Sequence, residues 1–487
     1  MAYDGFAMGQ GLLEPAAEPA TRILRPGHNC WRIERARRAS VLVDACEYFA
    51  RLEQSLRRAR RSITILGWDF DARTKLCPDQ EDCKPLGPFL RDLVETHPEL
   101  EVRILIWSFS VVHAPSESLP MILGAEWQNH PRITVKLDNQ HPVLGSHHQK
   151  IVCIDDAVAF AGGMDLTIER WDTADHRAGD PRRVNPDGKP YGPVHDIHMA
   201  VDGPVAQALA ELTRERWWKA TGETLAPCAP AGDPWPAGLA PDFTNVRIAV
   251  SRTAPAMGDT PAVKEAAALA VDALAAARRH VFIEAQYFTA PLIGDLLMAR
   301  LPEPDCPEIV VVVTECCHGA VERLVLGANR DRLIRKLKQV DAFDRLRVYR
   351  PVSPTEDGDL DILIHSKLIV VDEDFLRIGS SNLNNRSVAL DTECDLAIEA
   401  ASDRERRVIA RIRNRLLAEH LGTTPNQVAR ALAAEGSLIR AVERLNVGRR
   451  GLRPLAAMSD EGPTEPVTGT ALVDPAEPFQ LRLPLLG

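Results

Sequence analysis

Two histidine–lysine pairs are the part of the sequence best suited to chemistry. His148 and Lys150 lie two residues apart, and so do His365 and Lys367. Side chains two residues apart on an extended strand share one face. A lysine buried beside an imidazole without a counter-charge is costly, whereas next to a phosphate its ammonium neutralises oxygen charge. The imidazole can attack phosphorus or transfer a proton near neutral pH. These pairs therefore predict a site for phosphoryl chemistry.

Both pairs belong to one longer pattern, HxKxxxxD, which ends at Asp155 in the first copy and at Asp372 in the second. Each copy continues into a turn of small residues and then a polar residue, Asp165 and Asn382 respectively. A single match would be weak evidence for a functional motif, because a histidine that only caps the end of a strand could produce it. Two copies in register argue for a shared function.

The segments around the motifs repeat in the same order, which indicates an internal duplication. They alternate short β-branched runs with helical patterns. The matching segments are residues 59–70 and 277–288, 101–107 and 308–314, 132–137 and 345–350, 148–165 and 365–382, and 196–201 and 393–398. This arrangement predicts the α/β class, with two similar α/β sandwich domains and one active site at their pseudo-two-fold interface.

Changes in composition predict the domain boundaries. Pro and Gly are dense in the middle of the chain and Pro recurs near its end. Such segments are typical of linkers and tails. The predicted organisation is a leader at 1–28, a first half at 29–225, a linker at 226–243, a second half at 244–448 and a Pro-rich tail at 449–487.

Composition excludes several classes of protein. The 487 residues are 45% hydrophobic and 26% charged, which is typical of a globular protein and not of a disordered one. The net charge of −10 argues against a generic nucleic-acid coat protein. No apolar run approaches the roughly 20 residues of a membrane span, and ten cysteines are too few for a disulfide scaffold. With no secretory signal visible, we expect a cytoplasmic protein with transient peripheral contact to membranes, while signal-independent export stays open.

Four further segments accompany the motifs: GGMDLTIERWD at 162–172, PVHDIH at 193–198, FIEAQYF at 282–288 and GSSNLNNRS at 379–387. Together with the duplicated HxKxxxxD they make residues 29 to 400 resemble the phospholipase D superfamily, and within it a bacterial enzyme of the phospholipid-cleaving branch. Two positions depart from that branch's pattern, with Val194 in place of Trp and Ala285 in place of Asn.

The resemblance implies a two-step reaction through a phosphohistidine. It assigns His148 as nucleophile and His365 as acid and base, and the repeat keeps the reverse assignment open. It implies that Lys150 and Lys367 bind phosphate oxygens and that Asn382 contacts the phosphate, with Asp165 at the equivalent position of the repeat. Asp196 and Glu393 would orient the imidazoles, and Asp155 and Asp372 complete the catalytic motifs and brace their loops.

The implied substrate is a glycerophospholipid at a membrane surface, with water or an alcohol as acceptor and phosphatidic acid as the hydrolytic product. No cofactor and no metal ligands are expected, and stimulation by calcium stays open. Three alternatives remain: a phosphatidyltransferase of the cardiolipin-synthase type, a nuclease of the same superfamily, and a non-catalytic lipid-binding protein. The acidic net charge makes nucleic acid an unfavourable partner, and two intact motifs argue against a non-catalytic protein.

A long polar segment at 172–194 separates Asp165 from Asp196 and has a much shorter counterpart at 388–392. Long loops of this kind are often functional. We predict that this loop selects the head group. His176 within it is expected to be an ordinary solvated histidine.

Overall fold

The computed structural model describes residues 22–108, 125–229, 231–315, 323–475 and 477. The strands of the first half are β1 (Arg32–Val43), β2 (Ser62–Gly67), β3 (Glu101–Trp107), β4 (Ile133–Asp138), β5 (Ile151–Ile154), β6 (Val158–Gly162), β7 (Val194–His195) and β8 (Ile197–Asp202). Those of the second half are β9 (Phe243–Ala254), β10 (Val263–Lys264), β11 (His280–Ala285), β12 (Glu308–Val313), β13 (Leu346–Pro354), β14 (Asp359–Asp361), β15 (Leu363–Ile364), β16 (Lys367–Val371), β17 (Phe375–Gly379), β18 (Glu393–Glu399) and β19 (Gly451–Pro454).

Helices alternate with these strands. They are α1 (Asp44–Leu56), α2 (Leu86–Thr96), α3 (Pro204–Thr221), α4 (Glu265–Ala275), α5 (Pro291–Arg300), α6 (Ala328–Val340), α7 (Asn385–Ala389), α8 (Asp403–His420), α9 (Pro425–Glu435), α10 (Leu438–Leu445) and α11 (Thr470–Val473). Short 3₁₀ turns lie at Glu126–Gln128 and Ala456–Met458, and a π turn lies at Arg323–Gly327. Within the described ranges, no helix combines the length and the apolar composition needed to cross a membrane.

The strands of each half pair in the same order. Hydrogen bonds connect the first half as β4-β3-β2-β5-β6-β8-β1 and the second half as β13-β12-β11-β16-β17-β18-β9. In both halves the first three strands are parallel and the next ones antiparallel. The α/β class and the internal repeat predicted from the sequence are confirmed.

The two halves are joined edge to edge by β1 and β9, an arrangement that the sequence did not suggest. These strands are antiparallel, with Arg32 opposite Val250 and Ala39 opposite Phe243. Each has 12 residues and lies at the edge of the hydrogen-bonded strand order of its half. An edge strand exposes unpaired amides and carbonyls. Pairing β1 with β9 satisfies both edges and makes one continuous sheet across the pseudo-two-fold axis.

Three apolar cores hold the layers together. The central core contains strand residues of both halves, such as Leu105 and Val310, and it is completed by α3 and α8. Helices α1 and α2 cover the other side of the first half, and α4, α5 and α6 cover that of the second. The shared central core fixes the position of one half relative to the other.

A second contact between the halves passes through the motifs themselves. The short strands β7 and β15 are parallel, with Val194 opposite Leu363. A single parallel bridge between His147 and Thr392 is its counterpart. Each motif therefore approaches the strand of the other half that carries an orienting carboxylate.

The termini of the described chain are attached to the body. Residues 22–24, in the predicted leader, donate three backbone hydrogen bonds to the Glu399 carboxylate. In the predicted tail, β19 pairs with β13, and Asp474 accepts backbone hydrogen bonds from Asn385 and Arg386. Residues 1–21 of the predicted leader lie outside the described residues.

Asp155 and Asp372, the last residues of the two motifs, brace the entry into strands. The Asp155 carboxylate accepts hydrogen bonds from the backbone N–H groups of residues 60, 61 and 62. Asp372 does the same for residues 278, 279 and 280. Both are buried and have left-handed backbones, with φ of 52° and 53°, which Asp tolerates better than most residues. These carboxyl groups are engaged by backbone N–H groups at the start of β2 and β11, as a bracing role requires.

We expect Asp155→Ala to lower the free energy of unfolding by about 3 kcal/mol, because three backbone donors lose a charged acceptor. Urea unfolding followed by circular dichroism measures the change. Asp155→Asn is the matched control, since Asn accepts the left-handed backbone and retains one acceptor oxygen. An Ala variant as stable as the Asn variant would show that the carboxylate does not brace the strand.

Candidate active site

His148 is held by a carboxylate of the opposite half. Its Nδ1 lies 2.9 Å from Oε2 of Glu393, at the start of β18. Its backbone N–H donates to the carbonyl of Thr392 at 3.1 Å. The hydroxyls of Ser380 and Ser387 also donate to the Glu393 carboxylate. Glu393 is fully buried, whereas 14% of the His148 side chain is exposed, so the ring reaches solvent at the cleft and its partner does not.

His365 repeats this arrangement with the halves exchanged. Its Nδ1 lies 2.6 Å from Oδ2 of Asp196, and its backbone N–H donates to the His195 carbonyl at 2.9 Å. Asp196 is buried and 7% of the His365 side chain is exposed. A carboxylate at Nδ1 fixes the imidazole tautomer and leaves Nε2 as the nitrogen available to a substrate. The two predicted orienting carboxylates are thus crossed between the halves.

The two motif lysines differ in their partners. Lys150 Nζ lies 3.0 Å from Oδ2 of Asp165, so its charge is already paired. Lys367 Nζ donates to the neutral amide oxygen of Gln286 at 2.8 Å. Asn382, the repeat equivalent of Asp165, is also neutral. The second half therefore presents a lysine whose nearest partner carries no charge, which suits an incoming anion.

Arg170 is a cation of the site that sequence reasoning missed. It is 7% exposed, and its Nε has no hydrogen-bond partner among the described residues. Its charge acts on both His365 and Lys367. Asn382 Oδ1 is likewise buried without a hydrogen-bond partner in the described part of the chain. Arg170 could have been predicted from the segment 162–172, because it is the only cation in that segment.

Burial and neighbouring cations set the protonation of the two histidines. Burial, Lys150 and Lys367 hold the pKa of His148 well below its usual value. Burial and then Lys367 and Arg170 do the same for the pKa of His365. Burial also lowers the pKa of Lys367 to about 7, although Asp196 opposes the change. Both imidazoles are therefore neutral at pH 7 in the free protein, and a bound anion would favour their protonation.

Burial also acts on the two orienting carboxyl groups. It raises the pKa of Glu393 well above its usual value, and the hydroxyls of Ser380 and Ser387 oppose that shift. Burial raises the pKa of Asp196, and Lys367 opposes it. Each carboxyl group lies within hydrogen-bond distance of the Nδ1 of its histidine, and this hydrogen bond offsets part of the cost of burying it.

Small residues after each motif make room for the carboxylates. A Cβ on Gly163 would clash with Oδ1 of Asp196. A Cβ on Gly379 would clash with Oδ1 of Asp395. Asp395 in turn binds the buried guanidinium of Arg377. The glycine turn seen in the sequence is thus a steric requirement of the packed site.

The loop at 172–194 lines a cavity of about 430 Å³ together with the residues that follow Asp165. Thr167, Trp171, Arg182, Asn185 and Tyr191 are among the lining residues. Much of the loop is exposed, but Asp172, His176, Asp180 and Arg183 are buried. His176 within it is fully buried, which corrects the expectation of a solvated histidine.

Two family models match the chain. The model described as "Phospholipase D" matches residues 55–231, and the model described as "Cardiolipin synthase, PLD-like domain" matches residues 271–416. Each matched segment contains one HxKxxxxD motif. The two models together cover both halves of the repeat.

Known proteins give the same indication. A phospholipase D of Phytophthora infestans is 30% identical over 223 residues, covering 36% of this chain and 12% of the relative. Cardiolipin synthase A of Pseudomonas syringae pv. syringae (strain B728a) is 27% identical over 257 residues, covering 52% and 44%. The chain thus spans less than half the length of these curated relatives. The solved structure of phosphatidylserine synthase from Haemophilus influenzae Rd KW20 shares the fold, with a TM-score of 0.53, 14% identity and coverage of 87% and 88%. The chain belongs to the phospholipase D superfamily.

Proposed function

We propose that this chain cleaves the distal phosphodiester bond of glycerophospholipids through a phosphohistidine, with water or an alcohol as acceptor. The observation that carries the proposal is the crossed pairing of His148 with Glu393 and of His365 with Asp196. Each carboxylate occupies an Nδ1, so each imidazole offers Nε2 to the same cleft. One such nitrogen can bond to phosphorus while the other moves a proton.

In the first step Nε2 of His148 attacks phosphorus, and the P–O bond to the head group breaks. His365, protonated once the anionic substrate is bound, donates its Nε2 proton to the leaving oxygen. In the second step His365 takes a proton from water or an alcohol, and the resulting oxygen attacks phosphorus. The P–N bond breaks, which releases phosphatidic acid or a new phosphatidyl ester and restores the neutral His148.

The charges around the cleft suit this reaction. Lys367 and Arg170 act on the same histidine. The groups within hydrogen-bond distance of Lys367 are the Gln286 amide oxygen and the carbonyl oxygen and Nδ1 of His365, none of which carries a negative charge. Lys150 adds a third positive charge that Asp165 partly compensates. Preorganised cations of this kind stabilise the charge that develops on the non-bridging oxygens of the transition state.

The substrate class rests on the relatives and on the site. The named relatives include phospholipases D and cardiolipin synthases, whose names specify phospholipid substrates or products. The cavity of about 430 Å³, which Thr167, Trp171 and Arg182 help to line, is large enough for a polar head group. We assign head-group recognition to its lining residues, in particular Arg182 and Trp171.

A phosphatidyltransferase of the cardiolipin-synthase type is the second candidate. It is favoured by the match of residues 271–416 to the cardiolipin synthase model. The first chemical step is the same, and the two activities differ only in whether water or a lipid alcohol enters the second.

The deciding experiment incubates the protein with vesicles of mixed phospholipids and ethanol and analyses the products by mass spectrometry. We expect phosphatidic acid and phosphatidylethanol from the wild type and neither from His148→Ala. Cardiolipin from phosphatidylglycerol vesicles without ethanol would favour the second candidate. Intact lipids alongside cleaved single-stranded DNA would move the substrate to nucleic acid and contradict the proposal.

The roles of the two histidines can be separated with short-chain phosphatidyl-p-nitrophenol, whose leaving group needs no proton. We expect His365→Ala to release about one p-nitrophenolate per chain and to keep the phosphatidyl group, because the base for the second step is missing. Intact-mass and peptide analysis should place the group on His148. A burst from His148→Ala with the group on His365 would reverse the assignment.

Gly163→Ala should lower kcat by about 100-fold, because the new methyl group displaces Asp196 and thereby His365. Steady-state kinetics on the lipid substrate measure the effect. Gly192→Ala is the matched control, since a Cβ there meets no atom within 4 Å. Equal rates for the two variants would show that the approach of Gly163 to Asp196 has no influence on turnover.

The pH dependence should report Lys367. Its ammonium is present below a pKa of about 7 and is lost as the pH rises through that value in the free protein. In a plot of log kcat/KM against pH, we therefore expect the slope to become more negative by about one near pH 7. Lys367→Arg should lack this break, because a guanidinium stays charged. The contribution of His365 is common to both proteins, so an identical break in the variant would exclude Lys367 as its cause.

A further inference from the structure

Four buried side chains from both halves converge behind the active site. They are Asp44 at the start of α1, His176 in the loop at 172–194, His195 in β7 and Glu419 near the end of α8. One ligand atom of each lies within 4.8 Å of the ligand atoms of the others. We propose that these four side chains bind a divalent transition-metal ion, with Zn²⁺ as the best match.

The donor atoms lie close to the spacing of a tetrahedral site. Glu419 Oε1 lies 2.7 Å from Nδ1 of His195 and 3.1 Å from Nε2 of His176. Asp44 Oδ1 lies 3.1 Å from Nδ1 of His195, and Asp44 Oδ2 lies 3.8 Å from Nε2 of His176. Tetrahedral zinc with bonds of about 2.0–2.1 Å places its ligand atoms about 3.3 Å apart. Small shifts of these side chains would accommodate an ion.

The outer nitrogens of both histidines are bound by further carboxylates. Nδ1 of His176 lies 2.8 Å from Oδ2 of Asp172, and Nε2 of His195 lies 2.9 Å from Oε2 of Glu284. Metal-binding histidines usually donate their second N–H to such a group, which fixes the tautomer and turns the lone pair toward the metal. Here both histidines have that support on the side away from Asp44 and Glu419.

The alternative is a metal-free network in which protonated imidazoles bind the carboxylates. Asp44 argues against it. Its side chain is completely buried, and its oxygens have no well-aligned hydrogen bond from the described residues, although Oδ1 lies 3.1 Å from Nδ1 of His195. A buried carboxylate without well-aligned donors is costly. Two carboxylates and two neutral imidazoles around a divalent ion would remove that cost and balance the charge.

The donor set also selects among metals. Imidazole ligands suit zinc and the neighbouring transition metals, whereas magnesium and calcium prefer sites made only of oxygen.

A second group, His195 with Glu284 and His420, shares one residue with the first. In that group the Glu284 carboxylate already forms hydrogen bonds with Nε2 of His195 and with Nε2 of His420. We therefore assign Glu284 to the supporting layer.

The proposed ion would stabilise the geometry of His365. The backbone N–H of Asp44 donates to the Asp196 carbonyl at 2.8 Å, and Asp196 follows His195 directly in the chain. Glu284 also accepts a hydrogen bond from Ser366, the residue after His365. The ligands are positioning residues in this scheme and do not touch the substrate.

The test measures metal content, so its result does not depend on the proposed lipid chemistry. The full chain is expressed with added zinc, purified without a nickel column, passed over chelating resin and analysed by plasma mass spectrometry. We expect about one zinc per chain in the wild type and less than about 0.1 in His176→Gln. His280→Gln is the control, because His280 pairs with Glu373 at 3.3 Å outside the cluster and should leave the zinc in place.

A measurement on the unmutated protein covers the case in which His176→Gln fails to fold. Growth with cobalt in place of zinc should give the visible absorption of tetrahedral Co²⁺, and zinc should remove it. The proposal is overturned if the wild type carries no stoichiometric metal and no cobalt spectrum. It is also overturned if a folded His176→Gln variant binds metal as the wild type does.

Discussion

The structure depends on two carboxylate–imidazole pairs that cross between its halves. Glu393 belongs to the second half and holds His148 of the first, while Asp196 belongs to the first and holds His365 of the second. Both carboxylates are buried. A buried carboxylate that loses its partner costs several kcal/mol, so the halves cannot move apart without exposing or stranding these groups. The β1–β9 ladder and the shared core keep that cost from arising.

The repeat is symmetric in backbone and asymmetric in charge, and the asymmetry is what the chemistry uses. Strand order, crossed carboxylates and lysine–carbonyl contacts occur in both halves. The first half pairs Lys150 with Asp165, whereas the second has Gln286 beside Lys367 and Asn382 in place of the aspartate. Arg170 adds a charge to the same side. A fully symmetric site would hold its phosphate equally on either side and give no reason for one imidazole to attack and the other to transfer the proton.

Much of the fold and of the site could be predicted from the sequence, because a duplication displays each constraint twice. The matched strands and the alternation with helices gave the class, and HxKxxxxD in register gave the reacting side chains. Other features carry no local signal. Strand β1 contains four arginines and does not alternate as a buried strand would, so its pairing with β9 was missed. The crossing of the carboxylates was missed too, because a repeat shows which positions are equivalent and not which copies touch.

His176 shows most clearly why sequence reasoning reaches a limit. It stands in a polar segment without periodicity, and such a residue is ordinarily solvated. Its burial follows from Asp44, His195 and Glu419, which are separated from it by 132, 19 and 243 residues in the chain. Glu419 belongs to the other half and meets it only when the two halves pack. The same packing places this cluster directly behind Asp196. Since a buried charge must be balanced locally, the groups behind the active site constrain where its orienting carboxylate can lie, and the catalytic cleft is supported from its interior and not only by the residues that line it.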